Sequence, residues 1–246
     1  STLFPYTTLF RSRTGLHLEG GGAVSARAIV IATGARYRTL DVADYERFEG
    51  QGIHYAATAM EAQLCMNEEI IVVGGGNSAG QAAMFLSRHA AHCTMLVRAK
   101  GLAATMSDYL VQRIEASPRI TLLTETEITE LGGERFLETV TWTNRASGES
   151  KANPIRNVFV MIGAAPNTGW LENCLELDPK GFVLTGRAVG SQQDGADVGS
   201  AFATSRAGVF AVGDVRSGSV KRVASGVGEG SVVVQAIHRF LNPPLA

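Results

Sequence analysis

Cysteine is scarce. Among 246 residues only Cys65, Cys93 and Cys174 occur, and no Cys-x-x-Cys is present. That excludes a disulfide framework and a cysteine zinc site, and it fits a reducing, cytoplasmic compartment. Each of the three reads as a small, half-buried apolar residue. The five His are scattered and make no ligand cluster. Long hydrophobic runs are missing too: the longest, such as Val158–Ile162, are far too short to span a bilayer. Neither sign of charge predominates, with 22 Lys and Arg against 23 Asp and Glu. A net charge of −1 gives no pull toward nucleic acid or an anionic membrane surface. Hydrophobic residues make up 45%, ordinary for a soluble globular chain, and the length allows one large domain or two modest ones.

What is present is concentrated in Glu69–His89. Ile70–Val73 is a short β-branched run suited to a buried parallel strand. Gly74, Gly76 and Ala79 follow as Gly-x-Gly-x-x-Ala, then an Ala-rich helix, then a second strand at Cys93–Val97. Gly74 permits a tight turn, Gly76 lets a pyrophosphate approach the backbone, and Ala79 lets the helix pack near the strand. The free amides at the helix start face an anion. A glycine pattern alone is weak; inside a βαβ unit it points to dinucleotide binding. The second strand then selects the dinucleotide. An NAD site carries an acid near its end, but Met95–Lys100 has none. Arg98 and Lys100 stand there instead and suit the 2′-phosphate of NADP, although solvated surface cations are common at any such place.

The rest of the chain supplies the frame. Leu16–Leu18 and Ala23–Val24 flank Gly20–Gly22 and predict a hairpin end. Ala28–Ala32 is a buried strand ending in Thr33-Gly34-Ala35, either a close backbone approach to a ligand or a simple strand-ending turn. Asp41–Tyr55 reads as a connection between domains. Ser107–Ala116 is an amphipathic helix with Ser107 as N-cap and Pro118 as its stop, and Ile120–Leu123 is the next strand. Thr126–Leu131 and Phe136–Trp142 alternate polar and apolar residues across Gly132-Gly133 and predict an antiparallel layer. Asn157–Ile162 is a buried strand closed by a rigid turn, Gly163–Thr168, and Phe182–Leu184 is a short strand. Ala188–Gly199 reads as a loop. Val209–Val212 is a strand ending in Gly213-Asp214. A Gly-rich stretch, Arg222–Glu229, then leads into a helix at Ser231–Leu241, closed by Pro243. Asp214 can accept hydrogen bonds from a polyol, and the helix start can favour negative charge on a ring. An ordinary N-cap or turn Asp accounts for Asp214 equally simply.

Together, Ala28–Ala35, Ile70–Ala83, Asn157–Thr168 and Gly208–Gly230 resemble the thioredoxin-reductase-like flavoproteins, in the branch often found behind a cyclic-nucleotide-binding domain. The resemblance covers nearly all of Arg13–Leu241. It implies an α/β fold of two Rossmann-like, three-layer domains, with an NADPH domain (42–162) inserted into an incomplete FAD domain (13–41 and 163–246). It implies Thr33, Gly34, Gly163, Gly213, Asp214, Arg222, Val223 and Ala224 around FAD. Gly74, Gly76, Asn77, Ser78, Ala79, Arg98 and Lys100 would hold NADPH. No catalytic acid or base and no metal is implied.

Two departures stand out. The family's opening βαβ, with its pyrophosphate glycines, is expected before Arg13. There, residues 1–12 read as the in-frame translation of a sequencing adapter, the alternative being a native strand-forming terminus, and the chain is expected to be an inactive fragment of a longer parent. Second, Ala56-Ala57-Thr58-Ala59 stands where the disulfide reductases carry Cys-x-x-Cys. The expected activity is therefore hydride transfer from NADPH to FAD, then to an acceptor without an internal dithiol. A ferredoxin- or flavodoxin-type carrier, a quinone or an external disulfide are the candidate acceptors, and a homodimer is compatible. The rival readings are a thioredoxin-disulfide reductase with cysteines elsewhere and a non-catalytic dinucleotide-binding sensor.

Overall fold

The computed structural model describes residues 2–5, 14–18, 20–171, 173–190 and 200–242. Contacts divide the chain into two units, Ser1–Arg36 with Ala164–Ala246, and Tyr37–Gly163.

The chain begins with an antiparallel sheet, β1 (Thr2–Pro5), β2 (Thr14–His17) and β3 (Ala23–Ala26), in that order. The hairpin expected around Gly20–Gly22 is β2–β3. Of the stretch 1–12, residues 2–5 are β1; the others lie outside the described residues. Pairing with β2 uses backbone groups that any extended segment can supply, so β1 carries no information on the origin of that stretch. The strand expected at Ala28–Ala32 is β4 (Ile29–Ile31), and β5 (Ala35–Tyr37) follows the Thr33-Gly34 turn.

The second unit opens with a correction. Asp41–Tyr55 is not a bare connection. It contains a 3-10 turn at Tyr45–Phe48 and β6 (Ile53–His54), and Tyr45, Phe48 and Ile53 are buried core. Polar residues between them mask an apolar triplet whose burial, at about 1.5–3 kcal/mol per large side chain, holds the segment down. Next come α1 (Ala59–Leu64), β7 (Glu69–Val73), α2 (Asn77–Leu86), β8 (His92–Val97), α3 (Asp108–Glu115) and β9 (Ile120–Thr124). Then follow β10 (Thr126–Gly132), β11 (Thr139–Asn144), β12 (Ser150–Asn153) and β13 (Asn157–Val160).

Five parallel strands in the order β6-β13-β7-β8-β9 form the centre. Alternation along β7 explains why it reads as continuously apolar. Ile70 and Val72 pack with the α2 and α3 side chains, while Ile71 and Val73 pack with Ile128, Leu131 and Val140 of the antiparallel layer β10-β11-β12. The unit is therefore helices, parallel sheet and antiparallel sheet in three layers. β11 starts at Thr139 rather than Phe136, because Phe136 lies exposed beneath the Arg135 guanidinium. The sequence reading missed β12, whose four residues carry no apolar alternation.

In the first unit, β14 (Ala164–Pro166) pairs with β5, and β15 (Val209–Ala211) runs parallel to β4. Phe182–Leu184 forms only isolated bridges, through Val183 to Leu177 and Arg216. Of the loop expected at Ala188–Gly199, residues 191–199 lie outside the described residues, as does Pro243. The final helix, α4 (Val223–Leu241), begins well before Ser231 and takes in the whole Gly-rich stretch. Three glycines cost such a helix roughly 1 kcal/mol each. Buried Val233 and Ala236 anchor its later turns, and Glu229 ties its second turn to Gly213 and Arg216. No helix among the described residues is long and apolar enough to cross a membrane.

Candidate dinucleotide-binding site

The glycine turn after β7 divides its work between folding and binding. Gly74 has φ +141°, and a Cβ there would stand 2.5 Å from the Met161 carbonyl oxygen and 3.0 Å from Ala79 Cβ. Its role is to let β7 turn against β13 and to let α2 dock through the buried Ala79. Gly76 differs: the nearest atom to a Cβ is the Thr105 carbonyl oxygen at 3.9 Å, so the missing side chain leaves open space. Gly76 is the N-cap of α2 and supplies no side-chain bond, so no N-cap side chain covers the amides of Asn77, Ser78 and Ala79. Uncapped amides beside an open cradle at the positive end of a helix fit a phosphate group.

The parallel register, Val73 opposite Leu96, brings this turn and the residues after β8 to the same carboxyl edge of the sheet. Arg98 and Lys100 are both exposed there, and neither has an ion-pair partner among the described residues. The loop after them brackets the turn. Thr105 Oγ1 donates to the Gly75 carbonyl at 2.8 Å, and the Ser107 amide donates to Asn77 Oδ1 at 2.8 Å. The Asn77 carboxamide oxygen thus joins the start of α2 to the start of α3. Ser107 caps α3 by position without a side-chain bond. Thr105 was missed because its role depends on a loop closing back onto β7.

The residues expected around FAD lie in the first unit, apart from Gly163. Thr33 and Asn167 lock two strand ends: Thr33 Oγ1 donates to the Asn167 carbonyl at 3.1 Å, and Asn167 Nδ2 donates to the Thr33 carbonyl at 2.8 Å. The Asn167 amide reaches the Gly34 carbonyl at 3.1 Å. Gly163 is exposed, and its carbonyl accepts from the Arg38 amide at 3.0 Å. Asp214 is half-buried with no hydrogen-bond partner among the described residues, which suits a carboxylate that accepts from hydroxyls. Arg222 is the N-cap of α4 without a side-chain bond, Val223 is 88% exposed, and Ala224 is exposed beside it. A free carboxylate, an uncapped helix start and an uncovered apolar turn fit a molecule with a polyol and a flat ring.

Glu229 was not foreseen. It accepts from the Gly213 amide at 2.6 Å and makes a two-pronged ion pair with Arg216, whose side chain also reaches Thr185 Oγ1 and lies over Phe202. Burial alone would raise the Glu229 carboxyl. The hydrogen bonds and the charge of Arg216 outweigh it and hold the group below its ordinary value. Such a group adds stability that is complete above the unfolded-state value, about 4.5, and is lost as pH falls through the lower folded-state value. Glu229→Gln should therefore cost about 1–3 kcal/mol near pH 7. The gap in melting temperature from wild type should narrow below about pH 4.5. A pH-independent gap in thermal melts would refute this account of the pair.

No cysteine among the described residues is in a disulfide. Cys65 and Cys93 are fully buried in the helical-side core, and burial raises both thiols, Cys93 to about 12. Ala59 opens α1 behind a capping box in which the Thr58 amide donates to Glu61 at 2.8 Å. The stretch Ala56–Ala59 is thus an ordinary helix entry.

A parallel sheet with a glycine turn, an uncapped helix start and free cations at its carboxyl edge defines a dinucleotide-binding α/β protein. The chain belongs to the pyridine nucleotide-disulphide oxidoreductase family, whose model matches residues 7–230. It is 30% identical over 225 residues to a thioredoxin reductase of Rickettsia felis, covering 90% of this chain and 68% of that protein. It is 29% identical over 226 residues to an NADH dehydrogenase of Bacillus subtilis, covering 92% of this chain and 41% of that one. A crystal structure of thioredoxin reductase from Streptococcus pyogenes superposes with a TM-score of 0.78 at 25% identity, covering 98% of this chain and 72% of that one. The chain spans about two fifths of the length of several curated relatives, such as an alkyl hydroperoxide reductase of Staphylococcus epidermidis at 39%.

Proposed function

We propose that the chain forms part of an FAD-dependent oxidoreductase that takes reducing equivalents from NADPH and delivers them to an acceptor outside the chain. FAD, when bound, supplies hydride acceptance and onward electron transfer. The residues of this chain bind and orient. The amides of Asn77, Ser78 and Ala79 would hold the pyrophosphate, and Arg98 and Lys100 the 2′-phosphate. Asp214 would accept from the ribityl hydroxyls, and the backbone of Arg222, Val223 and Ala224 would contact the ring. Thr33, Gly34 and Gly213 would shape the strand ends of the first unit around it. The location is cytoplasmic, in keeping with buried, unpaired thiols.

The acceptor is a ferredoxin- or flavodoxin-type carrier, a quinone or an external disulfide. The relatives named thioredoxin reductase and alkyl hydroperoxide reductase favour the external disulfide. The alanines at 56 and 59 argue against a relay within this chain. In the longer parent protein, release of thiols from an external disulfide, with NADPH supplied, separates that acceptor from the others. Absence of any flavin reduction by NADPH in that intact protein would leave only a sensor.

The observation that carries NADPH is the pair of unpartnered cations where an NAD site has an acid. Two relatives are named NADH dehydrogenase, so the choice needs a direct test. Charge-assisted bonds to phosphate contribute roughly 1.5–3 kcal/mol each. Arg98→Ala should weaken NADPH binding by about 10- to 100-fold and NADH binding by less than about threefold, read by nucleotide fluorescence titration. Equal losses for the two nucleotides would overturn the assignment.

A further inference from the structure

A groove of about 430 Å³ runs along the outer face of the helical layer between α2 and α3, open along its length. It lies wholly within the second unit. Ala79, Ala82, Ala83 and Leu86 turn toward the sheet, which leaves Met84 and Phe85 half-buried on the flank of α2. These two, with Leu110 of α3, floor the groove. Its walls carry two guanidinium groups, Arg88 and Arg113, and no carboxylate. Arg113 is held in place: Nη1 donates to Tyr109 Oη at 2.8 Å, and the guanidinium lies 5.3 Å from the Tyr109 ring centroid. Arg88 is exposed, and neither arginine has an ion-pair partner among the described residues.

Of the five Lys and Arg in residues 77–119, Arg88 and Arg113 line the groove, so two guanidinium groups stand over its apolar floor. Two guanidinium groups beside an apolar floor, that of Arg113 held by Tyr109, match an extended acidic chain better than a neutral one, because guanidinium groups without ion-pair partners steer and orient carboxylates. An open groove along ten helical residues, about 15 Å, accommodates a few residues of extended peptide rather than enclosing a small molecule.

We propose that the α2–α3 groove docks an acidic segment of a partner protein. One apolar side chain of that segment rests on Met84, Phe85 and Leu110, and flanking carboxylates meet Arg88 and Arg113. The surface is separate from the phosphate cradle except at Asn77, which joins the two through Ser107. The proposal does not depend on which nucleotide or acceptor the protein uses.

The test uses the full chain and a fluorescein-labelled peptide, Asp-Glu-Leu-Phe-Glu-Asp, read by anisotropy at low and high salt. Wild type should bind it, and binding should fall as salt rises. Arg88→Glu and Arg113→Glu should each weaken binding by about tenfold or more, and the double variant should prefer the peptide with Lys in place of its acids. Arg88 is exposed and Arg113 half-buried at the groove wall, so circular dichroism checks that each variant folds, and recovery with the Lys peptide shows that the variant groove is intact. Three outcomes overturn the proposal. The peptide with Ser-Ser in place of Leu-Phe binds equally well, which leaves non-specific charge attraction. NADPH displaces the peptide, which makes the groove part of the nucleotide site. Sedimentation shows self-association that Arg88→Glu abolishes, which makes a second copy the occupant.

Discussion

Purified as these 246 residues, the protein should be colourless, with no visible flavin absorbance, and it should associate at high concentration. The first unit explains why. Its parallel sheet among the described residues is β4 and β15 alone, and Val30 in the middle of β4 is 40% exposed. Parallel sheets are stable when covered on both faces and joined by further strands; two strands are marginal. On α4, Val223 and Val227 are 88% and 69% exposed, an apolar turn with nothing over it. Flavin affinity is a sum of many contacts made together, and Asp214 with the start of α4 supplies only a few of them. Exposed apolar surface and an open strand edge favour association instead. The second unit has its own three layers and two clusters of buried side chains, so it should still bind NADPH. A yellow, monodisperse preparation with one flavin per chain would show that these few contacts suffice.

Gly74→Val and Gly76→Val should separate folding from binding at adjacent turns of one motif. At Gly74 the substitution meets a left-handed φ and a carbonyl oxygen 2.5 Å from the new Cβ. Strain and overpacking together cost about 3–5 kcal/mol, enough to lower the melting temperature of the second unit by more than about 10 °C. At Gly76 the backbone is extended, with φ −95°, and the new side chain enters open space. Stability should change by no more than about 1 kcal/mol, the loss of a favourable N-cap residue. NADPH binding should nevertheless fall by at least about tenfold, because the valine occupies the phosphate cradle. Thermal melting and nucleotide titration of both variants check the pair. Normal melting for Gly74→Val, or undiminished NADPH binding for Gly76→Val, would break the division of roles.

The elements read correctly from sequence are those whose signal is local. Ile70–Val73 is a β-branched run, Cys93–Val97 is a second apolar strand, and the glycines between them mark a turn with a helix after it. Asn157–Val160 and Val209–Ala211 were visible for the same reason. The elements misread are those decided by distant partners. Tyr45 and Phe48 look like loop aromatics until Ile53, Leu137 and Val158 close around them. The early turns of α4 contain three glycines and look like a loop until Glu229 finds Gly213 and Arg216.

Residue type and spacing by themselves determined the βαβ nucleotide motif, the absence of a cysteine pair and the cations that stand where an acid would select NAD. Each of these rests on covalent order: a strand period, a missing Cβ, a missing sulfur, a charge after a strand. Tertiary structure alone decided which glycine serves the fold and which leaves space for a ligand, since both are written Gly and only neighbours such as Met161 and Thr105 distinguish them. It also decided that Asn77 Oδ1 accepts from the Ser107 amide, that Asp214 stays free while Glu229 is engaged, and that Arg88 and Arg113 flank one apolar floor. Hydrogen bonds and apolar contacts between residues far apart in sequence are set by how the layers stack, and no local pattern encodes them.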